Sequence, residues 1–236
     1  MGVRRVVVVG GTSGIGLATA QQLAAEGADV LALGRNEKQI DEVKEAHPEV
    51  RFALADAASQ EAMASCYAAF GPFSGLVLCV SGAKGAGFFK DLEADDVLSG
   101  FQQKFIPQFR AAQAALPFLK QDGSITFVSA ISARAANPGT AGLAAINGAI
   151  EAMIKPLARE LKPLRANAVS PGVVETPWWS KVPDAVREQL LQQSAAASLV
   201  GKNAQAEELA HAIVFLIGNG FVTGTVLEVD GGLRLS

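Results

Sequence analysis

The sequence predicts an α/β fold, a doubly wound parallel sheet of about seven strands with helices on both faces. Short runs rich in Val, Ile and Leu alternate with longer stretches whose apolar residues recur three or four apart. Half of the residues are hydrophobic but only 6% are aromatic, which suits a buried parallel sheet packed by small aliphatic side chains. A length of 236 residues suffices for one well-buried domain and is short for two.

Taken in order, the expected strands are "RRVVVV", "DVLALG", "VRFALA", "GLVLCVS", "SITFVSA", "RANAVS" and "TVLEV". Between them, "IGLATAQQLAAEG", "EKQIDEVKEAH", "SQEAMASCYAAF" and "AQAEELAHAIVFLIG" carry the helical spacing, and "AGLAAINGAIEAMIKPLA" reads as a further helix. Such alternation calls for right-handed crossovers. No internal repeat, low-complexity tract or linker divides the chain, so residues 1–236 are expected to form one domain.

A formal charge of -3 gives no electrostatic case for nucleic acid. The apolar run after Met1 covers only Val6 to Val9, and no run of about 18 residues follows, so neither a signal peptide nor a membrane span is expected. Cys66 and Cys79 show no metal-ligand or disulfide spacing, and His47 and His211 have no paired ligand nearby. A cytoplasmic protein without a metal site is the expectation.

The first chemical feature is "VVVVGGTSGIGLATA", where Gly10, Gly14 and Gly16 fall at a strand-to-helix turn. Gly10 permits the tight turn, and Gly14 lets a pyrophosphate approach the backbone at a helix N-terminus, whose free N–H groups and dipole favour an anion. At the end of the second strand, "LALGRNEK" offers Arg35 with no acid immediately before it. A planar guanidinium suits a 2′-phosphate, which favours NADP(H) over NAD(H), unless Arg35 is an ordinary solvated residue.

These motifs resemble the short-chain dehydrogenase/reductase family, whose members have a Rossmann-type sheet, and the likeness runs over nearly the whole chain. "GGTSGIG" looks like the family's cofactor loop, "ALADAAS" like its adenine-facing segment, "RANAVSPGVVETP" like its sixth strand and nicotinamide loop, and "FVTGTVLEVDGG" like its last strand. The resemblance implies cofactor contacts from Gly10, Thr12, Ser13, Gly14, Ile15 and Gly16, then Arg35, Asp56 and Ala57. It implies further contacts from Ser81 and Gly82 after the fourth strand, and from Pro171, Gly172, Val174 and Thr176 after the sixth. "VSGAKGAGFFKD" departs from the family's usual Asn-Asn-Ala-Gly; Ser81 and Lys84 there either face the cleft or serve the loop.

The departures at the expected active site go further. The family places a serine on the fifth strand, a tyrosine and a lysine four residues apart on the next helix, and an asparagine on the fourth long helix. Aligned on "TAGLAAING", the tyrosine position is Leu143 and the lysine position Asn147. The serine position is Ala130, flanked by Ser129 and Ser132, and the asparagine position is Lys104, so a lysine and an asparagine have exchanged helices. The candidate catalytic set is therefore Lys104, Asn147 and Ser129. Lys104 is expected either to point into the cleft, toward Asn147, water or the ribose, or to lie on a solvated helix face. The only tyrosine, Tyr67, lies on another part of the chain.

Trp178 and Trp179 form either a lid over a substrate or a contact with a second subunit. The lack of charge in "VVETPWW" beyond Glu175 points to an apolar small-molecule ligand. Three functions fit: an NADP(H)-dependent reductase or dehydrogenase of a small or medium carbonyl or alcohol with an atypical site, a catalytically inactive NADP(H)-binding sensor or assembly partner, and a non-redox enzyme on the same fold. Loss of a general acid worth about 100- to 10,000-fold predicts slow carbonyl reduction, not its absence. The resemblance also implies a homodimer or homotetramer.

Overall fold

The structure is a computed structural model and describes residues 4–236. The chain runs through β1 (Arg5–Val9), α1 (Gly14–Ala25), β2 (Asp29–Gly34), α2 (Glu37–Ala46), β3 (Arg51–Leu54), α3 (Gln60–Phe70) and β4 (Phe73–Leu78). Next come α4 (Ala94–Gly100), a π-helical turn over Phe101–Phe105, α5 (Ile106–Ala115), β5 (Leu119–Val128), α6 (Ala141–Glu160) and β6 (Arg165–Pro171). The two-residue β7 (Val174–Glu175), α7 (Asp184–Ala197), the two-residue β8 (Ala204–Gln205), α8 (Ala206–Gly218) and β9 (Val226–Val229) complete the order.

Seven strands form one sheet in the order β3-β2-β1-β4-β5-β6-β9, with every pairing parallel. This is the doubly wound Rossmann-type sheet that the sequence predicts. Successive side chains of a strand point to opposite faces, so each central strand feeds two cores. Val7 and Val9 of β1 join Met63, Tyr67, Phe70, Ala111, Ile150 and Ile154 from α3, α5 and α6. Val6 and Val8 join Ala20, Leu23, Leu209 and Ile213 from α1 and α8. Burying such a side chain fully contributes about 1.5–3 kcal/mol, which explains why a run of four valines makes the central strand.

Tyr67 is fully buried and donates its hydroxyl to the Ala111 carbonyl at 3.1 Å, and burial pushes its phenol up. It is a core residue and no proton donor. β5 starts at Leu119 rather than at Ser124, because its partners jump from Leu119 to Ser124 while β4 advances only from Phe73 to Gly75. The bulge absorbs a polar stretch that carries no strand signal.

The order of strands reverses between β1 and β4. Connections leave the two strands toward opposite faces there, which opens a crevice at the carboxyl ends of the sheet. The loops after β1, β4, β5 and β6 meet at that crevice.

Candidate functional site

The β1–α1 loop turns at Gly10, whose amide donates to the Leu33 carbonyl at 2.8 Å. Gly10 has a φ of +78° and Gly14 one of +49°, a region that side chains rarely adopt. Space is as restrictive as conformation. A Cβ on Gly10 would lie 3.0 Å from the Cys79 backbone, one on Gly14 3.2 Å from Thr176, and one on Gly16 would run into the Gly10 carbonyl. Ser13 caps α1 in an extended conformation without a side-chain cap bond, so the first-turn N–H groups of α1 remain for a ligand. This cradle fits a dinucleotide pyrophosphate.

Around it, Thr12 is buried against Gly34 and its hydroxyl donates to Gln39 Oε1 at 3.3 Å, while Ile15 packs into the α1–α8 core. Arg35 stands exposed just beyond β2. Asp56 is exposed after β3 and accepts from the Ala58 amide at 2.9 Å; Ala57 is buried beside it. Ser81 is exposed and Gly82 lies against Gln103, whose Oε1 accepts from the Ala83 amide at 3.1 Å. The Lys84 ammonium pairs with Asp96 at 2.9 Å and holds the loop. Pro171 ends β6, a Cβ on Gly172 would lie 2.8 Å from Asp230 Cα, and Val174 opens β7. Thr176 faces Gly14 across the crevice.

The other wall is built from the π-helical turn, β5 and α6. Such turns widen one coil of a helix and occur frequently at functional sites. Lys104 lies in it, half-buried with its ammonium turned inward, and donates to the Ser129 carbonyl at 2.9 Å just past β5. Burial brings its pKa down to about 8, against the opposing pull of the Cys79 thiol and the Glu151 carboxylate. Burial pushes the Cys79 thiol up to about 12. One turn further, Gln108 is fully buried and its Nε2 donates to the Val80 carbonyl at 2.9 Å and the Val128 carbonyl at 3.1 Å, stitching the ends of β4 and β5 together.

Two expectations need correction. Lys104 is not solvated, yet its bond goes to Ser129 and not to Asn147; the Asn147 amide donates to Ser132 Oγ and to the Leu143 carbonyl, each at 3.0 Å. Ser129, 1% exposed, has its hydroxyl committed to Glu151 Oε1 at 2.8 Å, with the Val169 carbonyl at 3.2 Å. The group that Ser129 turns to Lys104 is therefore its carbonyl, and Ser132, whose oxygen accepts from Asn147, keeps its own proton free. Ala130 is extended between them and carries no hydroxyl. Leu143 reaches the β4–α4 loop at Gly85.

Residues 9–234 match the family model for Enoyl-(Acyl carrier protein) reductase. The chain belongs to the short-chain dehydrogenase/reductase family. It is 31% identical to the 3-oxoacyl-[acyl-carrier-protein] reductase FabG of Thermotoga maritima, over 96% of each chain. It is 29% identical to the 3-hydroxyacyl-CoA dehydrogenase type-2 of Bos taurus, over 97% of this chain and 94% of the relative. A small-chain dehydrogenase solved in complex with NADPH superposes with a TM-score of 0.86 at 33% identity, covering all of both chains.

Within this short-chain dehydrogenase/reductase fold, Glu151 and Arg134 stand directly behind Ser129, although the motifs pass over them. Glu151 is one helical turn beyond Asn147 and two beyond Leu143, so the three share one face of α6. That spacing is the signal by which the sequence could have revealed it. Arg134 Nε donates to Glu151 Oε2 at 2.7 Å. Trp178 donates its indole N–H to the Gly82 carbonyl at 3.2 Å and meets Trp179 edge-on at 5.2 Å, so the loop after β6 closes against the loop after β4. Among the described residues, no cluster of His, Cys, Asp and Glu is arranged to hold a metal, and no helix is long and apolar enough to cross a membrane.

Proposed function

We propose that the protein is an NADP(H)-dependent reductase or dehydrogenase of a small or medium carbonyl or alcohol in which Lys104 supplies the proton. The carrying observation is the Lys104 ammonium, turned inward and held on the Ser129 carbonyl at the mouth of the crevice. A pKa near 8 keeps it protonated at neutral pH while making it a better acid than an ordinary lysine.

The cradle of Gly10, Gly14 and Gly16 and the open N-terminus of α1 hold the pyrophosphate. Arg35 takes the 2′-phosphate, and the solved relative carrying NADPH supports that choice. Thr12, Ser13, Ile15, Asp56, Ala57, Ser81 and Gly82 line the adenine and phosphate half, and Pro171, Gly172, Val174 and Thr176 the nicotinamide half. Bound NADPH supplies a hydride. Lys104 gives its proton to the carbonyl oxygen of the substrate and recovers one from solvent. Asn147 fixes Ser132, whose free hydroxyl polarises that oxygen in place of the residue missing at Ala130. Leu143, Trp178 and Trp179 give the substrate an apolar enclosure. The chain acts as one domain, in the cytoplasm, as a homodimer or homotetramer.

The second reading, a catalytically inactive NADP(H)-binding sensor, is favoured by the absence of a hydroxyl at both Ala130 and Leu143. Binding of NADPH and NADH is followed by fluorescence, and turnover by nicotinamide absorbance against a panel of ketones, quinones and imines. Lys104→Ala is expected to lower turnover about 100- to 10,000-fold with NADPH affinity kept. Equal turnover in the variant overturns the role of Lys104, and tight binding with no turnover in the parent protein supports the sensor.

A further inference from the structure

We propose that Glu151 is a positioning residue that keeps the Lys104 ammonium charged and in place through Ser129, which the two flank. This inference rests on the reading of Lys104 as the proton donor. One residue carries both contacts: the Ser129 carbonyl accepts from Lys104 Nζ at 2.9 Å, and its hydroxyl donates to Glu151 Oε1 at 2.8 Å. Fixing the Ser129 hydroxyl on a carboxylate orients the residue and holds its carbonyl toward the ammonium.

The placement of Glu151 is costly unless it is used. Its side chain is only 9% exposed, on the face of α6 that carries Leu143 and Asn147, and a buried carboxylate needs partners for both oxygens. Ser129 satisfies one oxygen and Arg134 the other. Arg134 also pairs with Glu228 at 2.7 Å, Glu228 with Arg234 at 2.9 Å, and Arg234 with Asp230 at 2.9 Å. Three carboxylates therefore alternate with two guanidiniums, and Lys155, one turn beyond Glu151 on α6, lines the same cavity as Glu151 and Arg134. The Lys104 ammonium stands on the other side of Ser129, bonded to its carbonyl. Of the groups facing that ammonium, the Cys79 thiol comes from the end of β4 and Glu151 from α6, with Arg134 behind it. Cys79, neutral at physiological pH, leaves Glu151 as the facing negative charge.

The test is an NMR pH titration of the lysine side chains in isotopically labelled, cofactor-free protein, with the Lys104 signal assigned by its loss in Lys104→Arg. Glu151→Gln keeps an acceptor for Ser129 but removes the charge, and is expected to move the Lys104 midpoint down by about one pH unit, a tenfold loss of proton affinity. Arg134→Gln removes the opposing cation from a half-exposed position and moves the midpoint up. The falling limb of the kcat profile follows each midpoint, while KM for the carbonyl stays within about twofold. A purely structural ion pair would lower stability without moving either readout. A Lys104 midpoint unchanged in both variants overturns the proposal, and if Glu151→Gln fails to fold, the upward move in Arg134→Gln decides alone. Midpoints that move while Lys104→Ala leaves turnover intact would sustain the Glu151–Lys104 coupling and remove only the catalytic reading.

Discussion

The two walls of the crevice follow different rules. On the side of β1 and α1, side chains are excluded: a Cβ at Gly10, Gly14 or Gly16 would meet backbone or Thr176. On the side of the π-helical turn, β5 and α6, side chains are exchanged, with Lys104 inside and Leu143, Asn147 and Glu151 along one helix face. A site that works by backbone N–H groups tolerates almost no substitution, because an added Cβ strikes the turn or its neighbours and moves the N–H groups off the ligand. A site that works by placing one charge can be rebuilt from another element, provided the ammonium still reaches the same carbonyl end of the sheet.

The largest effect expected on nucleotide binding is at the first wall. Gly16→Val is expected to weaken NADPH binding by more than about 100-fold, because the Gly10 turn must move. Binding by fluorescence, with circular dichroism to confirm a folded chain, checks this, and retained binding would break the contrast between the walls. Arg35→Ala should follow with about a 10- to 100-fold loss for NADPH and little change for NADH, the worth of a charge-assisted hydrogen bond. Equal losses for both nucleotides would show that Arg35 does not meet the phosphate. At the second wall, the reductive kcat is expected to fall about tenfold per pH unit above about 8, because Lys104 then loses its proton. The stability linkage has the opposite sense: the folded protein binds its Lys104 proton less tightly than the unfolded chain, so this group favours folding more as pH rises above about 8. A kcat profile that is flat between pH 7 and 9 would detach Lys104 from the chemistry.

The first wall was largely legible in the sequence. Four consecutive valines followed by Gly10, Gly14 and Gly16 specify a buried central strand and a crowded turn, and both follow from local sterics. The second wall was legible by composition but not by geometry. That Lys104 stands where an asparagine is expected follows from the family resemblance, whereas its bond to the Ser129 carbonyl depends on the π-helical turn, which has no sequence signature. The rotation of the Ser129 hydroxyl away from the crevice depends on Glu151, a carboxylate on a helix whose other inward residues are apolar or amide. The two-residue β7 and β8 are too short to show a period, and they pair only because the loops that carry them meet.

Gln108 gives this arrangement a fixed gauge. Two neighbouring parallel strands stand about 4.8 Å apart, and a single amide nitrogen holds the last carbonyl of β5 and the carbonyl of Val80, just beyond β4, at the very edge where the crevice opens. The flank of the crevice formed by β4 and β5 therefore cannot spread without giving up both bonds of a buried amide. That flank is set by the backbone, and the shape it presents is varied by the length and tilt of the side chains that hang over it.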